Sequence, residues 1–176
     1  MKLDSPEASR FRELVRRSRS IRRFQESRPV SADVLRRLVD CARLVPSAAN
    51  LQPLRYVLCN DPARRASVFA CLKWAGYLKD WPGPAHGERP AAYLVMLSDR
   101  EITREPWCDC GVAAQTITLY ATALGLGACM LGAIDRDSLR RALNIDSRFD
   151  ILLVIALGFP AETVVVTEVD AEHGVR

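Results

Sequence analysis

The stretch "ILLVIALG", residues 151–158, carries no charged or polar side chain along its length. A strand covered on one face alternates apolar with polar residues, whereas a continuous apolar run belongs to a central strand covered on both. Cover must come from the segments around it. "AAYLVMLS" (91–98) and "LRYVLC" (54–59) are rich in β-branched, aromatic and apolar residues and read as buried strands, and "ACMLG" (128–132) reads as another. Residues 8–18 and 31–44 predict helices; in the second, Ser31 is the N-cap and Leu35, Leu38, Val39 and Ala42 repeat at helical spacing before Pro46 stops it. "DCGVAAQTITLYATALG" predicts a long helix from about Asp109 to Leu124, ending at Gly125, with small residues suited to close packing on all sides. "DRDSLRRALN" predicts a helix capped by Asp135. Either an α+β or an α/β sandwich with a central sheet accommodates these elements.

With 176 residues, 49% of them hydrophobic, the chain is expected to form one domain over residues 1–176. No repeat, low-complexity tract or linker divides it. The net charge of +4 is unevenly placed, since Met1 to Arg43 holds twelve Lys and Arg against six Asp and Glu. The start has no charged-then-apolar leader and no apolar run reaches membrane length, so a soluble, cytoplasmic protein is expected. Six scattered cysteines in a chain of this size are expected to be reduced thiols.

Several chemistries fit poorly. A hydrolase nucleophile needs a nearby base, but the only histidines are His86 and His173, and there is no G-x-S-x-G. "CDC" (108–110) lacks the second ligand pair of a zinc site, so no metal is assigned. "GLGACMLG" (125–132) follows a helix and leads into a strand, the reverse of the dinucleotide fingerprint; Gly125 and Gly127 read as a helix cap and tight turn.

Two stretches ask for a ligand. "RRSRSIRRF" (16–24) interleaves guanidinium forks with serine hydroxyls, a donor set for a phosphate, though a solvated basic helix end has the same composition. It lacks the aromatics and broad basic surface of a nucleic-acid patch. "VPSAANLQP" (45–53) joins a helix to a strand with more residues, and more particular ones, than a turn needs. It reads as a lining, or as a helix stop followed by a polar loop.

Taken in order, "RSIRRF", "ARLVPSAANLQPLRYVL", "AAQTITLYATALGLGACMLGAI" and "LLVIALGFP" resemble the FMN-dependent nitroreductase family over most of residues 10–162. The resemblance implies an α+β three-layer sandwich with a central, mostly antiparallel sheet flanked by helices. It also implies a homodimer with FMN at the subunit interface, passing hydride from NADH or NADPH to nitroaromatics, quinones or similar electrophiles. Carried over residue by residue, Arg19, Ser20 and Arg22 would meet the phosphate and the pyrimidine edge of the flavin, where positive charge favours the reduced ring. Ser18 stands where many members have an arginine, so either the phosphate clamp is lighter or Arg17 swings in. Pro46, Ser47, Ala48, Asn50 and Gln52 would line the FMN held by the partner subunit. Met130 and Leu131 would pack against the ring, with the backbone N–H groups of Leu131 and Gly132 facing it.

Two departures from the family pattern bear on the site. Larger members add basic residues near the C-terminus, whereas only Arg176 follows Arg148 here; either the arginines near residue 20 carry the phosphate alone or further basic residues lie beyond Arg176. In "WAGYLKDWPGP" (74–84), Trp74, Tyr77, Lys79 and Trp81 either roof a substrate site or pack as core and rim. The stretch from Glu162 to Arg176 either pairs with the partner subunit or is a surface tail. No side chain is assigned as an obligatory acid or base. Other chemistries on the same fold remain alternatives: a flavin-consuming synthase, a reductive dehalogenase or an azoline dehydrogenase. So does a non-enzymatic basic interaction module.

Overall fold

A computed structural model of the chain describes residues 5–78 and 80–169. Four strands, β1 (Leu54–Cys59), β2 (Ala92–Asp99), β3 (Gly127–Leu131) and β4 (Phe149–Gly158), form one sheet in the order β1-β2-β4-β3, with every neighbouring pair antiparallel. The continuous apolar run of β4 therefore lies inside the sheet, beside a β2 that is buried at all eight positions. Successive side chains of β2 serve opposite faces, as strand geometry requires. Ala92, Leu94 and Met96 join one core, and Tyr93, Val95 and Leu97 join the other.

Five helices accompany the sheet, α1 (Pro6–Arg17), α2 (Ala32–Arg43), α3 (Pro62–Ala70), α4 (Trp107–Ala123) and α5 (Arg136–Leu143), with α1 lying on α4 rather than on a sheet face. Helices α2 and α4 bury Leu35, Leu38, Ala113 and Ile117 against one face; Val68 of α3 and Leu139 of α5 belong to the core on the other. The three-layer α+β expectation holds. Ser31 and Asp135 cap their helices as the sequence predicts, accepting from the N–H groups of Val34 and Ser138. Helix α3, capped by Asp61 with Pro62 behind it, is an addition to the predicted elements. No helix among the described residues is long and apolar enough to cross a membrane.

The segment after α1 runs along the outer edge of β3. Ser20 bridges Ala128 in parallel, and the Ile21 N–H donates to the Ala128 carbonyl at 3.0 Å. Two glycines make this approach possible. A Cβ on Gly127 would stand 2.9 Å from three Ile21 side-chain atoms, and one on Gly158 would stand 2.9 Å from the Phe24 ring. Gly127 and Gly158 face each other in the β3–β4 register, so one glycine pair seats both apolar residues of "RSIRRF". Phe24 is fully buried there, which contributes about 1.5–3 kcal/mol.

Candidate functional site

The connection from α2 to β1 is held in an unusual shape. Ala49, Asn50 and Gln52 all have positive φ (48°, 55° and 50°), although none is glycine. Each such residue costs on the order of 1–3 kcal/mol and persists only where its surroundings impose it. Asp109, in the first turn of α4 and only 6% exposed, is what imposes it. Its carboxylate accepts from the Ser47 hydroxyl and, at 3.0 Å, from the Ala48 N–H. The Ser47 oxygen in turn accepts from the Gln52 N–H at 2.9 Å, and the Asn50 Oδ1 accepts from the Gln52 Nε2 at 2.7 Å. Pro46, Ala48, Asn50 and Gln52 are exposed, and Ser47 is half-buried as the joint between loop and helix. Beneath the loop, a mainly apolar cavity of about 380 Å³ opens between α2 and β1, lined by Val39, Pro46, Ser47, Tyr56 and Asp109 among others.

The arginine segment forms the second half. Glu162 accepts from the backbone N–H groups of both Arg22 and Arg23, the latter at 3.1 Å, and pairs with the Arg23 guanidinium at 3.5 Å. Arg23 also reaches Glu88 at 3.5 Å. The guanidiniums of Arg17, Arg19 and Arg22 have no carboxylate partner among the described residues. Arg17 and Arg19 line a hollow of about 250 Å³ with Gly125, Gly127 and Glu162. Arg22 and Arg23 line another, of about 570 Å³, with Tyr77, Trp81 and Glu162. Arg22 lies 5.6 Å from the centroid of the Tyr77 ring and Arg23 lies 5.4 Å from that of Trp81. Ser20 is exposed at the β3 edge, as are Gly132 and the side chain of Met130.

The expected packing of the Leu131 side chain needs correcting, while the role expected of its backbone N–H does not depend on it. That side chain is 5% exposed and packs into the core on the α3 and α5 face. The alternation of β3 explains this. Ala128 serves the α2 and α4 face, Cys129 and Leu131 serve the α3 and α5 face, and Met130, two residues after Ala128, returns to the first. In "WAGYLKDWPGP", Trp74 is a core residue, 7% exposed and packed against Phe69 and Trp81 with centroids 6.1 and 6.5 Å apart; Tyr77, 70% exposed, stands at the rim of the hollow. Lys79, His173 and Arg176 lie outside the described residues, as does the tail from 170 onward.

Asp109 and Glu162 escape a reading by residue type. Asp109 shows only as an acid near the start of a helix, and Glu162 acts across a sequence separation that no local pattern spans. Burial pushes the Cys59 thiol up to about 11 and the Tyr56 hydroxyl up to about 12, and it raises Cys110 and Cys129 as well. No cluster of three or more metal-ligating side chains occurs among the described residues.

The two halves lie far apart. The loop of Ser47 is tied to the start of α4 and leads into the edge strand β1; the arginine segment is tied to β3, the opposite edge, beside the Gly125 turn that ends α4. Along α4, Asp109 and Gly125 are separated by about 24 Å at 1.5 Å per residue. No side chain of either motif bridges that distance. The exposed side chains of α1, which buries no residue of its own, and of α4 include the large apolar residues Phe11, Val15, Trp107 and Val112 among charged and polar ones.

The family model described as the nitroreductase family matches residues 15–159. A protein from Methanothermobacter thermautotrophicus, carried under the name NADH dehydrogenase/NAD(P)H nitroreductase, is 29% identical over 157 residues, covering 85% of this chain and 77% of its own. A 5,6-dimethylbenzimidazole synthase from Rhodospirillum rubrum is 26% identical over 173 residues, covering 82% of this chain and 79% of its own. Among solved structures, a Desulfovibrio desulfuricans protein described as a nitroreductase in complex with FMN is 26% identical. It superposes with a TM-score of 0.75 over 96% of this chain and 94% of that one.

Proposed function

The chain belongs to the nitroreductase family, and on that premise we propose that it is an NAD(P)H-dependent oxidoreductase of small electrophiles such as nitroaromatics and quinones. It works as a homodimer with FMN between the two copies. The observation that carries this reading is the placement of the two ligand-type motifs at opposite ends of α4. A two-fold dimer packed through the exposed apolar residues of α1 and α4 juxtaposes the start of one α4 with the end of the other. The loop at Ser47 of one copy then meets the arginines of its partner, twice.

The residues fit the cofactor. The three guanidiniums without carboxylate partners supply the charge and forked donors that a phosphate dianion requires, and Arg22 adds positive charge beside the ring-sized hollow at Tyr77. Met130 offers an apolar side chain at the β3 edge. Asn50 and Gln52, held at positive φ, present amide groups from the other copy. FMN, when bound, supplies the two-electron chemistry that links NADH or NADPH to an electrophile. The chain's own part is to bind, orient and exclude water. No side chain is assigned as acid or base, water supplying the proton, and the six free cysteines suit a reducing, cytoplasmic setting.

The test is a purification of the full chain. Extractable FMN near one per chain, an oxidised-flavin spectrum bleached by NADH or NADPH, and a dimer in sedimentation velocity are expected. A colourless protein that takes up no added FMN would end this reading. A second reading follows from the similarity to the Rhodospirillum synthase: the flavin is consumed rather than recycled. Following FMN through many turnovers separates the two, since an oxidoreductase leaves its amount constant.

A further inference from the structure

Away from the arginines at the β3 edge, a second group of cations surrounds a small enclosed space. Arg65 and Phe69 stand four residues apart on α3 and so face the same way. Arg89 precedes β2, and Tyr93 projects from β2 on the α3 side. Together with Glu26 and Pro90, these side chains enclose a cavity of about 130 Å³. The Arg89 guanidinium lies 4.3 Å from the centroid of the Phe69 ring.

Three polar atoms there are unmatched. Tyr93 is 0% exposed, and its hydroxyl has no hydrogen-bond partner among the described residues; the same is true of the buried Nε atoms of Arg65 and Arg89. A buried donor left unmade costs more than a made one gains. Glu26, the one carboxylate lining the cavity, does not compensate. Its Oε2 accepts from the Gly87 and Arg89 backbone N–H groups at 2.6 and 3.4 Å, and neither guanidinium pairs with it among the described residues. Burial raises the Tyr93 hydroxyl above its ordinary value, so it stays protonated and can donate.

We propose that this cavity is a binding site for a small oxyanion, a carboxylate or a phosphate-like ion, held by the guanidiniums of Arg65 and Arg89 and the hydroxyl of Tyr93. Two cations against one carboxylate give the charge, and three convergent donors give the geometry. The volume is below that of a site for a drug-sized ligand, which excludes a flavin or a dinucleotide. The site is independent of the flavin reading.

The experiment is a thermal melt of the FMN-loaded full chain with sodium phosphate or sodium acetate, each against sodium chloride at matched ionic strength. At least one oxyanion is expected to raise Tm progressively with the logarithm of its concentration, as ligand linkage requires. A response to phosphate alone identifies a tetrahedral oxyanion; a response to acetate alone identifies a carboxylate. Arg89→Met should abolish the response, and Tyr93→Phe should weaken apparent affinity about tenfold. In chloride alone Tyr93→Phe should melt at or above the wild type, because it deletes an unmatched hydroxyl while keeping the ring. That order should reverse in the responding oxyanion, which keeps the proposal testable if Arg89→Met fails to fold. Arg36→Ala, on the exposed face of α2 and part of neither site, should keep the response. Absence of any response beyond chloride, a response that survives Arg89→Met, or one lost in Arg36→Ala would overturn the proposal.

Discussion

Replacing Asp109 with alanine tests how the loop from Pro46 to Gln52 keeps its shape. The carboxylate accepts two hydrogen bonds, from the Ser47 hydroxyl and the Ala48 N–H, and bonds to a charged acceptor contribute about 1.5–3 kcal/mol each. Ala48 is exposed and Ser47 half-buried, so water replaces part of that and the low end applies, about 3 kcal/mol for the pair. Relaxation of one of the three positive-φ residues Ala49, Asn50 and Gln52 offsets roughly 1 kcal/mol of the loss. The net destabilisation is then about 2 kcal/mol, which for a chain of this size lowers Tm by about 4–8 °C. The same relaxation acts against the ligand, because binding must impose the strained loop again. Re-imposing that strain of about 1 kcal/mol raises the FMN dissociation constant about fivefold. Calorimetry gives the first quantity, and titration of apoprotein with FMN, followed by flavin absorbance, gives the second. Asp109→Asn keeps one carbonyl oxygen for the Ala48 N–H and should fall between. An Asp109→Ala protein melting within about a degree of wild type, with FMN affinity within about twofold, would refute the reasoning.

Gly158→Ala places a methyl 2.9 Å from the fully buried Phe24 ring, and overpacking of this kind costs about 1–3 kcal/mol. A lowered Tm together with reduced FMN content is expected, since Phe24 anchors the arginine segment; a wild-type value of both would contradict the seating role. Arg148→Met addresses acid stability. Arg148 grips the buried Asp99 with bonds of 2.8 and 2.5 Å, and that grip is the main reason the Asp99 carboxyl titrates below its ordinary value. A carboxyl lowered by folding contributes stability above its unfolded value, near 3.9, that is lost as pH falls through the folded one. Wild-type Tm should therefore drop more steeply below about pH 4 than that of Arg148→Met, whose Tm at neutral pH is lower. Parallel Tm profiles for the two proteins would show that Asp99 carries no such linkage.

Much of the fold is legible because its signals are local. Ser31 and Asp135 announce their helices, Gly125 ends α4, and the unbroken apolar run at 151–158 places β4 inside the sheet. Helix α3 has an equally local signal in Asp61-Pro62, but it is short, buries only Val68, and its arginines read as surface. The site is legible only in part, because residue type does not encode what decides it. Positive φ at Ala49 and Gln52 has no compositional mark. The aromatic residues of 74–81 look alike, yet Trp74 is core and Tyr77 is rim. Leu131 follows Met130 in the chain but points the other way, since one residue along a strand reverses the face. The strand order, which sends the two motifs to opposite edges, is a property of the whole chain.

That separation makes the shared cradle directly testable with two defective proteins. One carries Arg19→Ala and Arg22→Ala, the other Asn50→Ala and Asp109→Ala; each alone should retain little FMN. In a mixed dimer, the intact arginines of one copy face the intact loop of the other, so symmetry leaves about one complete site per dimer. Refolding the two together and isolating the mixed dimer by two affinity tags should recover about one FMN per dimer, bleached by NADH or NADPH. If each chain instead builds its cradle alone, both copies stay defective, and a mixed dimer as empty of flavin as its parents would contradict the account.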